Sequence, residues 1–346
     1  MFEKEQYPFH KVCGEYISME SWDFLQRIGL GLTESDVSMI KKLQVSSING
    51  KLLERKLALG GFGISRYNLD HRMAEVARSA GVTIKENTKV NDIVFDKDEF
   101  VIDAAGRKYR AKVCCGSFGK RSNMDVKWKR PFVTAVKSKL NNYIGVKYHI
   151  QTDFPVDTIA LHNFKNGYCG IVKIEGDKYN LCYLTTAGNL QQANGSIPGM
   201  EQNILWKNPH LKRIWQESKI ISETPLTISQ VSFDKKTQVV NHVLMMGDAA
   251  GMITPLCGNG MSMALHASLL AAEQISQFLS GQIGRETMEQ EYRLVWQRQF
   301  AGRLKAGRTI QGLFERPWLN NTFINIVRSF PVLADYFIWQ THGKPF

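Results

Sequence analysis

The sequence predicts an α/β protein, and three observations predict it. Val243 to Met246 is a short apolar run that suits a buried strand, and it ends at Gly247-Asp248, followed by a glycine-bearing loop and the apolar helical run Met261 to Ile275. From Phe132 to Thr186 the chain breaks into short β-like runs separated by turn residues. Beyond these, Arg293 to Arg316 has the pattern of a basic amphipathic helix.

The elements follow in order. Leu69, Met73, Val76, Ala77 and Ala80 fall at helical spacing, and Gly81 closes that run. Val82-Thr83-Ile84 and Lys89 to Phe95 read as strands, and Phe100 to Asp103, the Gly106-Arg107 turn and Tyr109 as a hairpin. Ala111 to Gly116 reads as a strand reaching a basic turn, with Cys114 and Cys115 on opposite faces. The middle region offers strands at Tyr143 to Ile150, Thr158 to Asn163, Tyr168 to Glu175 and Tyr179 to Leu184, with Gly167-Tyr168-Cys169-Gly170 read as a hairpin turn.

The 346 residues, 43% of them hydrophobic, suffice for one extended unit or two domains sharing a cleft. No apolar run reaches the roughly 18 residues needed to cross a bilayer, and no signal sequence is visible. Six cysteines occur without metal-ligand or CxxC spacing, which points to reduced thiols and a cytoplasmic setting, peripheral to a membrane at most. The net charge of +12 has no nucleic-acid motif beside it, so anionic cofactors or an anionic membrane surface are its expected partners. Hydrolase, zinc-protease and P-loop strings are absent.

The chemistry concentrates at Gly247-Asp248-Ala249-Ala250-Gly251, Pro255 and Gly258-Asn259-Gly260. A carboxylate at a strand's carboxyl edge suits a sugar hydroxyl, and glycines at a helix start let backbone N–H groups approach an anion or an oxygen-rich ring. This string resembles the second flavin motif of the para-hydroxybenzoate hydroxylase and geranylgeranyl reductase-like FAD-dependent oxidoreductases. Pro8, Lys11, Cys13 and Gly14 match that family's PxxKxCG segment. The resemblance implies FAD, with NADH or NADPH as electron donor. It implies cofactor contacts from Glu3 (adenosine ribose), Lys11, Cys13, Arg66, Val90 (adenine, through its backbone), Gly116, Asp248, Pro255, Gly258, Asn259, Gly260 and Met261. Cys13 and Tyr168 are its candidates for catalysis, Tyr168 by approaching the substrate cavity.

The chain departs from the family in one respect: the opening strand, GxGxxG loop and helix are missing, so Met1 aligns inside the second strand. The expectation is that the upstream reading frame supplies them. The implied fold is therefore an amino-terminally truncated Rossmann-like FAD-binding domain (1–130 and 235–285), an inserted antiparallel substrate sheet (131–234) and a carboxyl-terminal helical region (286–346). Cys13, and Gly251 where many hydroxylases and halogenases carry histidine, favour hydride transfer to a double bond of a lipophilic, isoprenoid-like or polyketide-like substrate. Hydroxylation of an aromatic substrate by a monooxygenase is the alternative, and a non-catalytic relative the third.

Overall fold

The computed structural model describes residues 1–134, 142–254, 258–314 and 317–346. In chain order, β1 (Tyr16–Ser18), α1 (Trp22–Arg27), β2 (Ser38–Ser46) and β3 (Leu52–Gly63) precede α2 (Arg66–Ser79). Ser65 starts α2 by accepting the Asn68 N–H at 3.1 Å, and Gly81, at φ +84°, ends the turn beyond it. Next come β4 (Val90–Asp96), β5 (Glu99–Ala104) and β6 (Arg107–Ala111), an antiparallel sheet, then β7 (Cys115–Gly116), α3 (Asn123–Lys127) and α4 (Pro131–Thr134).

The expected middle strands are present as β8 (Tyr143–Gln151), β9 (Thr158–Phe164), β10 (Gly167–Lys173) and β11 (Tyr179–Thr186). The turn between β9 and β10 is Lys165-Asn166, with Asn166 at φ +61°. Gly167 to Gly170 is therefore strand and not the expected turn; asparagine tolerates the left-handed conformation, so the chain reverses before it reaches the glycines. Three helices follow, α5 (Ala187–Gln192), α6 (Ile197–Asn203) and α7 (Pro209–Glu217), and then β12 (Lys219–Ile220) and β13 (Leu226–Val231).

Nine strands make the largest sheet, in the order β1-β3-β2-β9-β10-β11-β8-β12, with β13 also on β8. Its pairs are antiparallel except β2 with β9. Residues 16–63 thus lie in the same sheet as the middle strands, and the expected boundary at residue 130 does not separate two sheets. The parallel part of the fold is small. Phe2 bridges Lys85 in parallel, and β15 (Val243–Met245) pairs with β7 in parallel and with β14 (Val239–Val240) antiparallel. Both ladders pack on one core, in which Val243, Leu244 and Met245 are fully buried and Phe2 partly so.

Four helices complete the chain: α8 (Gly260–Leu279), α9 (Arg285–Phe314), α10 (Pro317–Ser329) and α11 (Pro331–Thr341). Met288, Tyr292, Trp296, Phe300 and Leu304, four apart, form the buried stripe of α9. Each large apolar side chain so buried contributes about 1.5–3 kcal/mol. Arg293, Arg298 and Lys305 remain exposed, so this basic helix is a core helix with a solvated face. No helix among the described residues is long and apolar enough to cross a membrane.

Candidate functional site

The strand β15 delivers Gly247 and Asp248 to the amino end of α8. Gly247 has φ +53° and Gly258 φ +65°, both in the left-handed region where a side chain is strained. A Cβ on Gly258 would stand 3.1 Å from the Tyr16 ring. Asn259 precedes α8 without a side-chain cap bond, which leaves the first-turn N–H groups of a long helix facing the loop. A recess lined by Gly247, Asp248, Gly251, Ile253, Gly260 and Trp296 opens between loop and helix.

Asp248, half-buried, lines this recess. Burial raises its carboxyl above the ordinary aspartate range, against the opposing charges of Lys236, Arg66 and Lys120. Lys236 does not bond that carboxylate. Its Nζ donates to the Asp248 and Lys120 carbonyls, each at 2.7 Å, and burial lowers it to about 8. The result is a half-buried carboxylate with Lys236, Arg66 and Lys120 as the positive charges around it.

Residues from the amino-terminal segment stand beside it. Arg66 chelates Asp70 through Nε and Nη2, both at 2.7 Å, and Lys11 Nζ reaches the same carboxylate at 2.9 Å. Burial would raise the Asp70 carboxyl, but the Arg66 bonds and charge hold it below its ordinary value. Lys11 and Arg66 are therefore held by protein, and Arg66 also bonds Cys13. Cys13 Sγ further accepts the Glu15 N–H at 3.4 Å, and Asn180 Nδ2 holds the Cys13 carbonyl at 3.1 Å.

Glu15 is the hub that sequence reasoning missed. It is 1% exposed, at φ +53°, and accepts bonds from Lys147 Nζ, the Arg66 N–H (2.8 Å) and His149 Nε2 (2.8 Å). Burial would raise its carboxyl, but the His149 hydrogen bond and the Lys147 charge lower it. The available signal was Lys147 and His149 at alternate positions of an otherwise apolar strand, where a charge survives only if paired.

The other expected contacts are placed as follows. Glu3 follows the isolated Phe2–Lys85 bridge, its carboxylate accepting the Glu5 N–H at 3.1 Å. The Val90 carbonyl is taken by Asn123 Nδ2 at 3.1 Å, so its backbone is already partly engaged. A Cβ on Gly116 would meet the Phe118 ring at 2.7 Å. Asn259 is buried beside Glu20, and Met261 packs on the Ile17 and Phe24 cluster. Pro255 lies outside the described residues. A Cβ on Gly251 would stand 2.7 Å from Trp296, so α9 closes that position to histidine.

An apolar groove enclosing about 890 Å³, its open mouth included, ends at Tyr16 and Gly258. Its floor is one sheet face: Leu53 opposes Val45 and Val45 opposes Leu161, while Arg55 opposes Leu43 and Leu43 opposes Ile159. Its roof is Ile310, Ile324, Val327, Ala334, Phe337 and Ile338 from the last three helices. Tyr168 does not line it. At 4% exposure Tyr168 stands beside it, on the same sheet face as Leu161 but one strand further along, packed with Val45, Ile310 and Ile324.

Comparison with solved structures places this architecture. A geranylgeranyl bacteriochlorophyll reductase-like protein from Thermoplasma acidophilum superposes with a TM-score of 0.76 at 16% identity, covering 95% of this chain and 84% of that one. The flavin-dependent halogenase CmlS superposes at 0.75 with 17% identity, covering 91% and 60%. The fold is that of the flavin-dependent halogenases and geranylgeranyl reductase-like proteins. No protein-family profile matches the chain. Among curated proteins, conditioned medium factor receptor 1 of Dictyostelium discoideum is 24% identical over 380 residues, covering 100% of this chain and 72% of its own length. A digeranylgeranylglycerophospholipid reductase of Methanosarcina acetivorans is 24% identical over 272 residues, covering 74% and 64%. The chain matches less than two thirds of the length of that reductase.

Proposed function

We propose that the protein is an FAD-dependent oxidoreductase acting on a lipophilic substrate, with reduction of a double bond preferred to oxygenation. The observation that carries this reading is the apolar groove ending at Gly258, since a single channel brings a greasy chain to the glycine loop that the flavoprotein resemblance assigns to the cofactor. Flavin, when bound, supplies hydride transfer, with NADH or NADPH as the donor of electrons.

The residues present fit that cofactor at one end. Gly258 and Gly260 allow close backbone approach, the uncapped start of α8 favours negative charge, and Asp248 offers a recessed acceptor to a sugar or ribityl hydroxyl. Arg66 and Lys11, locked on Asp70, act by fixing positive charge near Cys13 and Asp248 rather than by reaching for a phosphate. The groove wall excludes water from the reacting end, which suits a substrate without polar groups there.

Peripheral contact with an anionic membrane belongs to the same proposal, though through a different helix from the one the charge pattern suggests. Phe330, Val332, Tyr336 and Trp339 are 61%, 78%, 52% and 69% exposed on the outside of the helices whose inner faces roof the groove. Binding without turnover is the competing reading, favoured by the receptor name of the relative matched over the whole chain.

Anaerobic single-turnover assays of photoreduced protein, over isoprenoid and phenolic compounds with mass spectrometry of the product, test the choice. Reduction is expected to add two hydrogens without oxygen. A product carrying an atom from labelled oxygen would instead establish the monooxygenase, and full reconstitution with flavin but no turnover of any candidate would establish the binding protein.

A further inference from the structure

The groove contains one charged side chain that its apolar lining does not account for. Arg55 lies on the floor between Leu53 and Leu57, directly opposite Leu43. It makes one Nη1 bond, to the Glu54 carbonyl at 3.1 Å, while its Nε is buried with no acceptor. No ion pair holds it among the described residues. The other polar groups of the lining are satisfied: the Tyr16 hydroxyl donates to the Gly60 carbonyl at 3.2 Å, and His342 Nδ1 pairs with the Ile338 carbonyl at 2.9 Å. Arg55 is half-buried with its Nη1 end exposed, and a buried Nε without an acceptor is costly unless a ligand completes it.

We propose that Arg55 is the headgroup site of the groove, taking the phosphate or carboxylate of a single-chain anionic lipid whose tail runs to the Gly258 end. The planar fork of arginine suits a two-point bond to such an oxyanion, and the low polarity of the walls strengthens it. Arg55 opposes Leu43 and Gly61 opposes Ile40, because β3 is irregular between them, and a Cβ on Gly61 would lie against the Tyr16 ring. Three residues of β2 at roughly 3.3 Å each put the headgroup about 10 Å from that end of the groove. The site therefore selects substrates in which the reacting bond lies about 10 Å down the chain from the charge. This inference rests on the groove being the lipophilic substrate site.

Equilibrium dialysis of the full chain with radiolabelled hexadecyl phosphate and hexadecanol tests it without any need for turnover. Wild-type protein is expected to prefer the phosphate by about tenfold or more. Arg55→Gln should reduce that preference to near parity while leaving hexadecanol affinity unchanged, and Arg55→Lys should keep an intermediate preference; thermal melts establish that each variant is folded. Equal wild-type affinity for the two lipids overturns the headgroup role and leaves the lipophilic groove standing. So does a proportional loss of both in Arg55→Gln, which would assign Arg55 to packing, or displacement by inorganic phosphate as strong as by hexadecyl phosphate. Failure of wild-type protein to bind either lipid overturns the lipophilic reading itself and the headgroup site with it.

Discussion

Glu15 and Asp248 are two carboxylates sunk in the same part of the molecule, and they differ in what surrounds them. Glu15 has donors on both oxygens, and its carboxyl is pulled below its ordinary value. Asp248 has positive charges nearby but lacks that bonding, so burial wins and its carboxyl is pushed up. The first arrangement is finished by the protein. The second is not. The contrast separates a structural clamp, joining the amino-terminal segment to the middle strands, from a carboxylate held at a local cost in stability, which is the group the proposed cofactor would complete.

The largest expected effect comes from the finished site. Glu15→Ala leaves Lys147 and His149 buried without their acceptor, and a loss of about 3–5 kcal/mol is expected in urea unfolding. Adding Lys147→Met should recover much of it, because the stranded charge is then removed. Because the folded carboxyl lies below its unfolded value, its contribution is present above about pH 4.3 and lost as pH falls through the folded value. An acid titration of wild type that shows no steeper decline than Glu15→Gln would break the comparison from this side.

The glycine loop comes next. Gly258→Val places a branched side chain at φ +65° against Tyr16, and the purified protein is expected to lose flavin on gel filtration while circular dichroism shows its secondary structure retained. Retention of stoichiometric flavin by this variant would remove the loop from the cofactor site.

Asp248→Asn should then act in two opposed directions. The raised folded value means that the unliganded protein binds more protons than the unfolded chain, so Asp248 costs stability as pH rises through that value. The asparagine variant is therefore expected to melt at or above the wild-type temperature at pH 7 without flavin, yet to bind flavin more weakly by about 1–3 kcal/mol. Lower stability in the absence of flavin would show that Asp248 is already satisfied by the protein, as Glu15 is.

The smallest effect is expected at the outer helix face. Trp339→Ser should leave the melting temperature within experimental error, because the side chain is 69% exposed, while reducing sedimentation with phosphatidylserine vesicles. Equal sedimentation of variant and wild type would detach membrane contact from this face.

Much of this was legible in the chain alone. The β15, loop and α8 succession and the middle strands followed from local rules: an apolar run with a glycine end, alternation, and a helical period. The places of Asp248, Gly258 and Gly260 between that strand and that helix were readable for the same reason. What local rules cannot report is which distant side chains meet. Glu15 becomes a hub only when β8 brings Lys147 and His149 across from more than 130 positions away. Tyr168 is covered by Val45, Ile310 and Ile324, which come from another strand and from two of the last helices. The groove itself needs three strands in register and three helices laid over them. Local order along the chain is enough for the elements and for the strand-to-helix connection at Gly247 and Gly260, since those depend on sequence neighbours; pairing register and helix packing set the clamp, the groove and the place of Arg55, since each arises between segments that no local pattern connects.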